Sequence, residues 1–410
     1  MEKKISIPVA VLIISLLLVG CSGLSMGKPA EPQTNQPVNT TDNTSKEALG
    51  LSSIRMVTET TGWALGNGRI LRTIDGGNQW EDITPPEKLA NPRGTTLAFL
   101  DANTVWVATS TEDGSKGSKI IVFRTNNGGQ SWQSAPVSVE NNGAERFPRS
   151  LNFIDSERGW LMIEPDHGMN SSPGQLFATT DSGATWSKIS ITDGSQNALP
   201  FGGTIRFRNS ATGWVVGANT STTRNKLYMT RDGGLTWQQQ KLVLPNGFSG
   251  GEIDVVSPPV FLSTDSKEGI LMTTFVPESH KTIEYATIFY VTQDGGLTWQ
   301  SRKPVKPESL TIDFINANDW WHWRSEHRDT GSTAPVNGKL YHTSNGGKTW
   351  SETNPDKTLQ ELLQKGQNIM ELDFADCKIG WVLVRSKDSS PNTLLKTTDG
   401  GNTWTRIYPK

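Results

Sequence analysis

At 410 residues the chain is long enough for one large domain or several ordinary ones, and a hydrophobic fraction of 34% keeps the core lean. Lysine plus arginine number 39 against 41 acidic residues, a formal charge of −2, which excludes the basic excess of a nucleic-acid binder. Only two cysteines, Cys21 and Cys377, exclude a disulfide framework.

The chain opens on Lys3 and Lys4 followed by an apolar run from Ile5 to Val19, the order of a secretory signal. Leu18, Val19, Gly20 and Cys21 resemble a bacterial lipobox, which implies cleavage after residue 20, acylation of the Cys21 sulfur and anchoring through two or more chains. The competing reading is an uncleaved anchor helix, but an apolar run of about 15 residues is short for a span. With Cys21 lipidated, Cys377 is expected to be a lone thiol. Residues 21–49 are rich in Pro, Thr and Asn, nearly free of large apolar groups, and read as a disordered tether.

From residue 50 onward one phrase recurs seven times: TIDGGNQW (73–80), TNNGGQSW (125–132), TTDSGATW (179–186), TRDGGLTW (230–237), TQDGGLTW (292–299), TSNGGKTW (343–350) and TTDGGNTW (397–404). The third positions, Asp75, Asn127, Asp181, Asp232, Asp294, Asn345 and Asp399, are spaced by 52, 54, 51, 62, 51 and 54 residues. That period suits four short strands per unit, as in a propeller blade. Ahead of most boxes stands a turn followed by Gly-Trp, as in MVTETTGWAL, FIDSERGWLM and FADCKIGWVL. Each unit therefore reads strand, turn, strand, loop, strand, box, strand. In the first unit an Asn67-Gly68 pair marks a hairpin.

The 15 tryptophans follow the same count. Seven close the boxes (Trp80, Trp132, Trp186, Trp237, Trp299, Trp350, Trp404), five follow or replace the Gly-Trp pattern (Trp63, Trp106, Trp160, Trp214, Trp381), and Trp320, Trp321 and Trp323 crowd the sixth unit. Each buried indole removes on the order of 150–250 Å² from water, so regular Trp burial between blades is the expected source of the core.

Within a box, an oxygen at the third position can accept from backbone N–H groups downstream, and Gly at the fifth supplies the left-handed backbone that such a turn needs. Asn127 and Asn345 replace Asp in two boxes, so the position demands an acceptor rather than a charge, and an amide performs no acid–base chemistry. Copies spread around a ring cannot converge on one site. The boxes are read as structural turn clamps.

These residues resemble the Asp-box, or BNR repeat, of sialidase-like propellers, and the paired Gly-Trp and T-x-D-G-G-x-T-W pattern is similar to the photosystem II stability and assembly factor propellers. The resemblance covers about residues 50–410 and implies a fold shared by hydrolases and by non-enzymatic factors. From that resemblance a sialidase would carry a Phe/Tyr-Arg-Ile-Pro motif, three arginines and a Tyr-Glu pair. The nearest phrase, ERFPRS (145–150), has the wrong order, and Glu284-Tyr285, being adjacent in a strand, point to opposite faces. No phosphate loop, HExxH or paired CxxC is present, and the WWHWRSEHRD stretch (320–329) matches no standard metal site.

Strand alternation puts the first turn and the box turn of each blade on one face, and the longer strand-two-to-three loops and blade connections on the other. The loop face gives a candidate binding surface of Arg146, Arg149, His167, Glu252, Glu278, His280, Arg324, Glu326, His327 and Arg328, with Trp323 as an aromatic platform. The expectation is an all-β protein: a single seven-bladed β-propeller of four-stranded antiparallel blades, near 50–92, 93–142, 143–197, 198–247, 248–305, 306–357 and 358–410. It is expected to be monomeric, without cofactor or metal, extracytoplasmic and lipid-anchored to a bacterial membrane. Its expected role is a non-catalytic binding or assembly module for a protein or a cell-surface glycan, with a glycoside hydrolase as the alternative and a lectin as a third reading.

Overall fold

The structure, a computed structural model, describes residues 50–86, 94–111, 119–139, 146–165, 174–189, 201–218, 224–262, 266–278, 285–305, 311–325, 338–387 and 390–409. All belong to one unit, Glu47–Lys410. The expected signal, Cys21 and the tether lie outside the described residues. Among the described residues no helix is long and apolar enough to cross a membrane.

Seven antiparallel sheets follow one another along the chain, and six of them take four strands in sequence order. This is the seven-bladed propeller. The first strands are Leu51–Met56, Thr95–Phe99, Arg146–Phe153, Phe201–Phe207, Gly251–Val255, Thr311–Phe314 and Asn368–Phe374. First strands pack against one another between blades two and three, three and four, six and seven, and seven and one, which puts them at the axis, while fourth strands such as Glu81–Asp82 and Ser187–Lys188 lie exposed at the rim. The first strand of blade one packs on that of blade seven, which closes the ring without any exchanged strand.

The Gly-Trp pair is explained at the junctions. In four blades the strand-two Trp points at the next blade, where it stacks on an aromatic residue at the end of the inner edge. Trp106 stacks on Phe153 at 3.7 Å, Trp160 on Phe207 at 3.9 Å, Trp214 on Phe261 at 4.9 Å and Trp321 on Phe374 at 4.3 Å. The glycine makes room for that ring within its own blade: a Cβ on Gly213 would lie 2.5 Å from Phe207 and one on Gly380 2.4 Å from Phe374. Phe207 is already pressed on Trp160 and cannot retreat. Gly213→Ala is therefore expected to cost at least about 1 kcal/mol, read by equilibrium urea unfolding.

The indole N–H completes the joint by donating to the box of the next blade. Trp106 donates to the Ser182 carbonyl at 2.8 Å, and Trp381 to that of Gly76 at 2.9 Å. Trp214 reaches its neighbour through Gln240, whose amide donates to the Gly296 carbonyl at 2.7 Å.

Blade five departs from the pattern. Its inner edge is split into Gly251–Val255 and Val260–Phe261, both paired with the long buried strand Gly269–Pro277, and Ile270 stands where other blades carry Trp. The extra segment accounts for much of the 62-residue interval ahead of Asp294. A helix, Lys357–Gln364, capped by Asp356, inserts Leu359 and Leu363 into the core before blade seven. Cys377 is disulfide-bonded rather than the lone thiol expected.

Candidate functional site

The box geometry is uniform. In every box the first Thr hydroxyl donates to the third-position oxygen at 2.7–3.0 Å and accepts the fifth-position N–H at 2.9–3.0 Å. The N–H at the fourth position donates to the first turn of the same blade, as from Gly76 to Thr60 and from Gly400 to Lys378, so both turns share one face. Where Asp at the third position is matched by Thr at the seventh, the Thr hydroxyl donates to it, as Thr403 does to Asp399 at 2.6 Å. Where Asn is present the bond reverses: the Asn345 amide donates to Thr349 Oγ1 at 2.7 Å.

The Thr185 hydroxyl, then the Thr185 N–H and the Thr179 hydroxyl, hold the Asp181 carboxyl down to about 2. Asp399→Asn is expected to change stability by less than about 1 kcal/mol at neutral pH, checked by urea unfolding, because Thr403 can accept as Thr349 does.

Two of the expected loop-face residues, Arg146 and Trp323, are not at the surface. Arg146 is the first residue of the blade-three inner strand, paired with Pro165 and only 2% exposed, because that strand begins where a loop was expected. Trp323 is 4% exposed and packs in the core with Trp321, Leu340 and Leu363, so it offers no platform. Arg149 sits at a bulge of its strand, its Nε 4.0 Å from Glu164. Glu252 pairs with Lys226 at 3.0 Å, Glu278 is held by its N–H on the Gly250 carbonyl, and Arg324 lies over the Tyr341 ring. His167, His280, Glu326, His327 and Arg328 lie outside the described residues. Of the histidine-rich stretch, His322 is a core residue against Tyr341 and Trp350, and burial pushes it down to about 4. Among the described residues no group of three or more His, Cys, Asp and Glu is placed to hold a metal.

What the structure does bring together is a ring in the axial bore. The residue opposite the strand-two Trp position is Arg55, Ala98, Asn152, Arg206, Val260, Asp313 and Asp373 in blades one to seven. Members with an oxygen fasten the next blade. Asn152 accepts the Phe207 N–H at 2.7 Å, Asp313 that of Phe374 at 2.6 Å, and Asp373 that of Met56. Two residues earlier on the same strands, Ser150 and Glu371 do the same for Ile205 and Ile54. The other Asp373 oxygen accepts from Arg55 at 3.1 Å. A cavity of about 210 Å³ opens beside this cluster, lined by Ile54, Arg55, Ile312, Glu371 and Asp373.

Burial raises the Asp313, Glu371 and Asp373 carboxyls. For Asp373 burial outweighs Arg55, and the neighbouring Asp313 and Glu371 push further, to about 7. Across the bore Arg206 is pressed downward, by burial first and then by the Arg55 charge. Sequence inspection missed the ring because attention fell on the aromatic residue beginning each turn phrase. The signal was one residue earlier, in the pairs Arg55-Met56, Asn152-Phe153, Arg206-Phe207, Asp313-Phe314 and Asp373-Phe374.

Fold and junctions define a seven-bladed β-propeller with tryptophan-sealed blades and a polar axial ring. The chain belongs to the family of the DUF6242 beta propeller domain, whose model matches residues 28–274. No curated protein matches it. Among solved structures it is similar to the GH74 xyloglucanase of Xanthomonas campestris, with 14% identity, a TM-score of 0.55, and coverage of 88% of this chain and 54% of that one. A GH74 enzyme of Niastella koreensis gives 15% identity, a TM-score of 0.51, and 88% and 66% coverage. YCF48 bound to a D1 peptide gives 18%, 0.43, and 76% and 80%. The chain thus spans about half to two thirds of the GH74 chains, and at these identities the likeness is one of fold.

Proposed function

We propose that this chain is a non-catalytic binding or assembly module, held outside the cytoplasm on a bacterial membrane by lipid on Cys21, that serves a protein partner or a cell-surface glycan. The supporting observation is the use made of the inner-strand carboxylates. Among the described residues Asp313, Glu371 and Asp373 each hold a backbone N–H of the next blade, Asp254 holds that of Asn225, and Glu252 pairs with Lys226. A glycosidase needs two carboxylates free to face a bond in an open cleft. Asn152 fills the same position as Asp313 and Asp373, so that position asks for an acceptor and not an acid.

The test is crosslinking capture of the tethered protein from its own cell envelope. Specific recovery of a protein or of a glycan supports the reading and distinguishes the two. Turnover of a β-glucan or a sialoside, abolished by one carboxylate substitution, would overturn it in favour of a hydrolase. Cys21→Ala is expected to move the protein from the membrane to the soluble fraction. Because the chain has only two cysteines, acylation of the Cys21 sulfur competes with any disulfide it could form, and a Cys377 that resists thiol labelling in the membrane-bound form would count against the lipid anchor. Retained membrane association of the Cys21 variant would point to an uncleaved anchor.

A further inference from the structure

The junction of blades four and five departs from direct indole-to-box sealing. Trp214 reaches the next box only through Gln240, whose side-chain oxygen also accepts from Trp299 at 3.3 Å. Beyond Gln240 the chain crosses to blade five as a strap. It is fastened where the Tyr290 hydroxyl donates to the Val243 carbonyl at 2.8 Å and where Phe248 meets Phe275 edge-on at 5.0 Å. Between the strap, the blade-four sheet and the blade-five inner strand lies a cavity of about 260 Å³. Leu227, Leu242, Leu244, Ile253 and Val255 line it, and among the described residues no aromatic ring does.

The charged part of the lining is Lys226 and Lys241 against Glu252. Lys226 is occupied by Glu252 at 3.0 Å, whereas Lys241 is exposed and makes no ion pair or hydrogen bond among the described residues. Arg224, two residues before Lys226, is exposed and likewise unpaired among them. The rim of the cleft therefore favours an acidic ligand.

A free backbone edge runs beside the cavity. Gln238–Gln240 is the outermost strand of blade four and among the described residues pairs with Lys226–Thr230 alone. In other blades the third residue after the box tryptophan donates inward, as Ile83 does to Ile70 and Arg302 to Phe289. In blade four that residue is Gln240, so by alternation Gln239, which also lines the cavity, turns its N–H and carbonyl outward.

We propose that a protein partner docks in this cleft, laying an extended acidic segment along the Gln238–Gln240 edge and inserting one aliphatic side chain into the cavity. This rests on the binding-module reading above and chooses protein over glycan within it. An aliphatic lining suits a leucine or isoleucine side chain, and the open edge supplies the backbone hydrogen bonds that an extended chain needs. Acidic residues flanking the anchor meet Lys241 and Arg224.

The full chain, purified in detergent, is titrated with a fluorescein-labelled peptide of alternating leucine and aspartate, following anisotropy. Saturable binding is expected, with slowed hydrogen exchange at the Gln239 amide. A peptide of alternating alanine and aspartate should bind at least about tenfold more weakly because the anchor is lost, and one of alternating leucine and lysine should not bind. Lys241→Glu should weaken binding roughly fivefold at low salt and less at high salt. Leu242→Asp, in the cavity wall, should abolish it. Ile74→Ser, which removes an exposed apolar residue on blade one, should leave it unchanged. Urea midpoints report folding, and Lys241→Glu alters a solvated side chain, so it still decides the matter if Leu242→Asp unfolds. No saturable binding, equal binding of the leucine–lysine peptide, undiminished binding by Lys241→Glu, or binding without protection of Gln239 overturns the proposal. Binding of cellohexaose that Leu242→Asp abolishes would give the cleft to a glycan and overturns it too. A partner still captured from the envelope by the Leu242→Asp protein would keep the broader reading and remove this cleft from it.

Discussion

Trp381→Ala is expected to destabilise the protein by about 3–5 kcal/mol, measured by equilibrium unfolding in urea. The indole is fully buried at the junction where blade seven meets blade one, in a cluster with Leu51, Ile54, Met56 and Leu383. Truncation opens a cavity there and orphans the Gly76 carbonyl that the indole N–H satisfies. Lys396, placed 4.9 Å from the ring centroid, would also lose its aromatic partner. The control is Ile74→Ala, an apolar residue of the box turn that is 68% exposed and should change stability by less than about 0.5 kcal/mol. Equal losses in both variants would mean that the closing junction is not a site of core packing.

The second large effect concerns Asp373. Asp373→Ala is expected to cost about 2–3 kcal/mol, chiefly because the buried Met56 N–H loses its acceptor. The ion pair itself contributes little to that figure, since the Arg55 side chain is 55% exposed. Asp373→Asn keeps an acceptor, as Asn152 does in blade three, and should recover most of the loss.

The pH profile gives an independent reading. The native carboxyl is raised from an ordinary value near 4 to about 7, so between those limits the folded protein holds a proton that the unfolded chain has released. The stabilisation linked to that proton is complete below about pH 4 and is lost as pH rises through 7. Asp373→Asn should flatten this decline between pH 4 and 7. An unchanged slope would mean that the carboxyl titrates normally in the folded state.

The circular architecture was legible in the sequence because its cause is local and repeated. Each box carries its own acceptor, its own glycine and its own tryptophan, and the same hydrogen bonds form in all seven. The split edge of blade five was foreshadowed by the long interval and by the missing Trp in FLSTDSKEGILM. The helix Lys357–Gln364 was missed although Asp356, Leu359 and Leu363 carry a cap and an apolar stripe, because the box period alone drew the blade boundary there.

The candidate site was less legible for a different reason. Whether an arginine or tryptophan near a loop is exposed depends on where the strand starts, and strand ends are poorly marked. Arg146 and Trp323 both lie inside strands, and their side chains are covered by neighbours distant in sequence. The bore ring depends on register between the first two strands of each blade, so its members align only when the blades are superposed.

Every sheet draws its strands from one continuous stretch of chain, so the blade-seven to blade-one junction is closed by side chains and packing alone. Covalent continuity has no role in shutting the circle. The break in the polymer could therefore be moved: a circular permutant opened at another interblade loop would retain all seven lateral contacts. For the same reason a gene segment encoding one sector could be copied or deleted without leaving a partner strand behind, which makes blade number an evolvable quantity in such a protein.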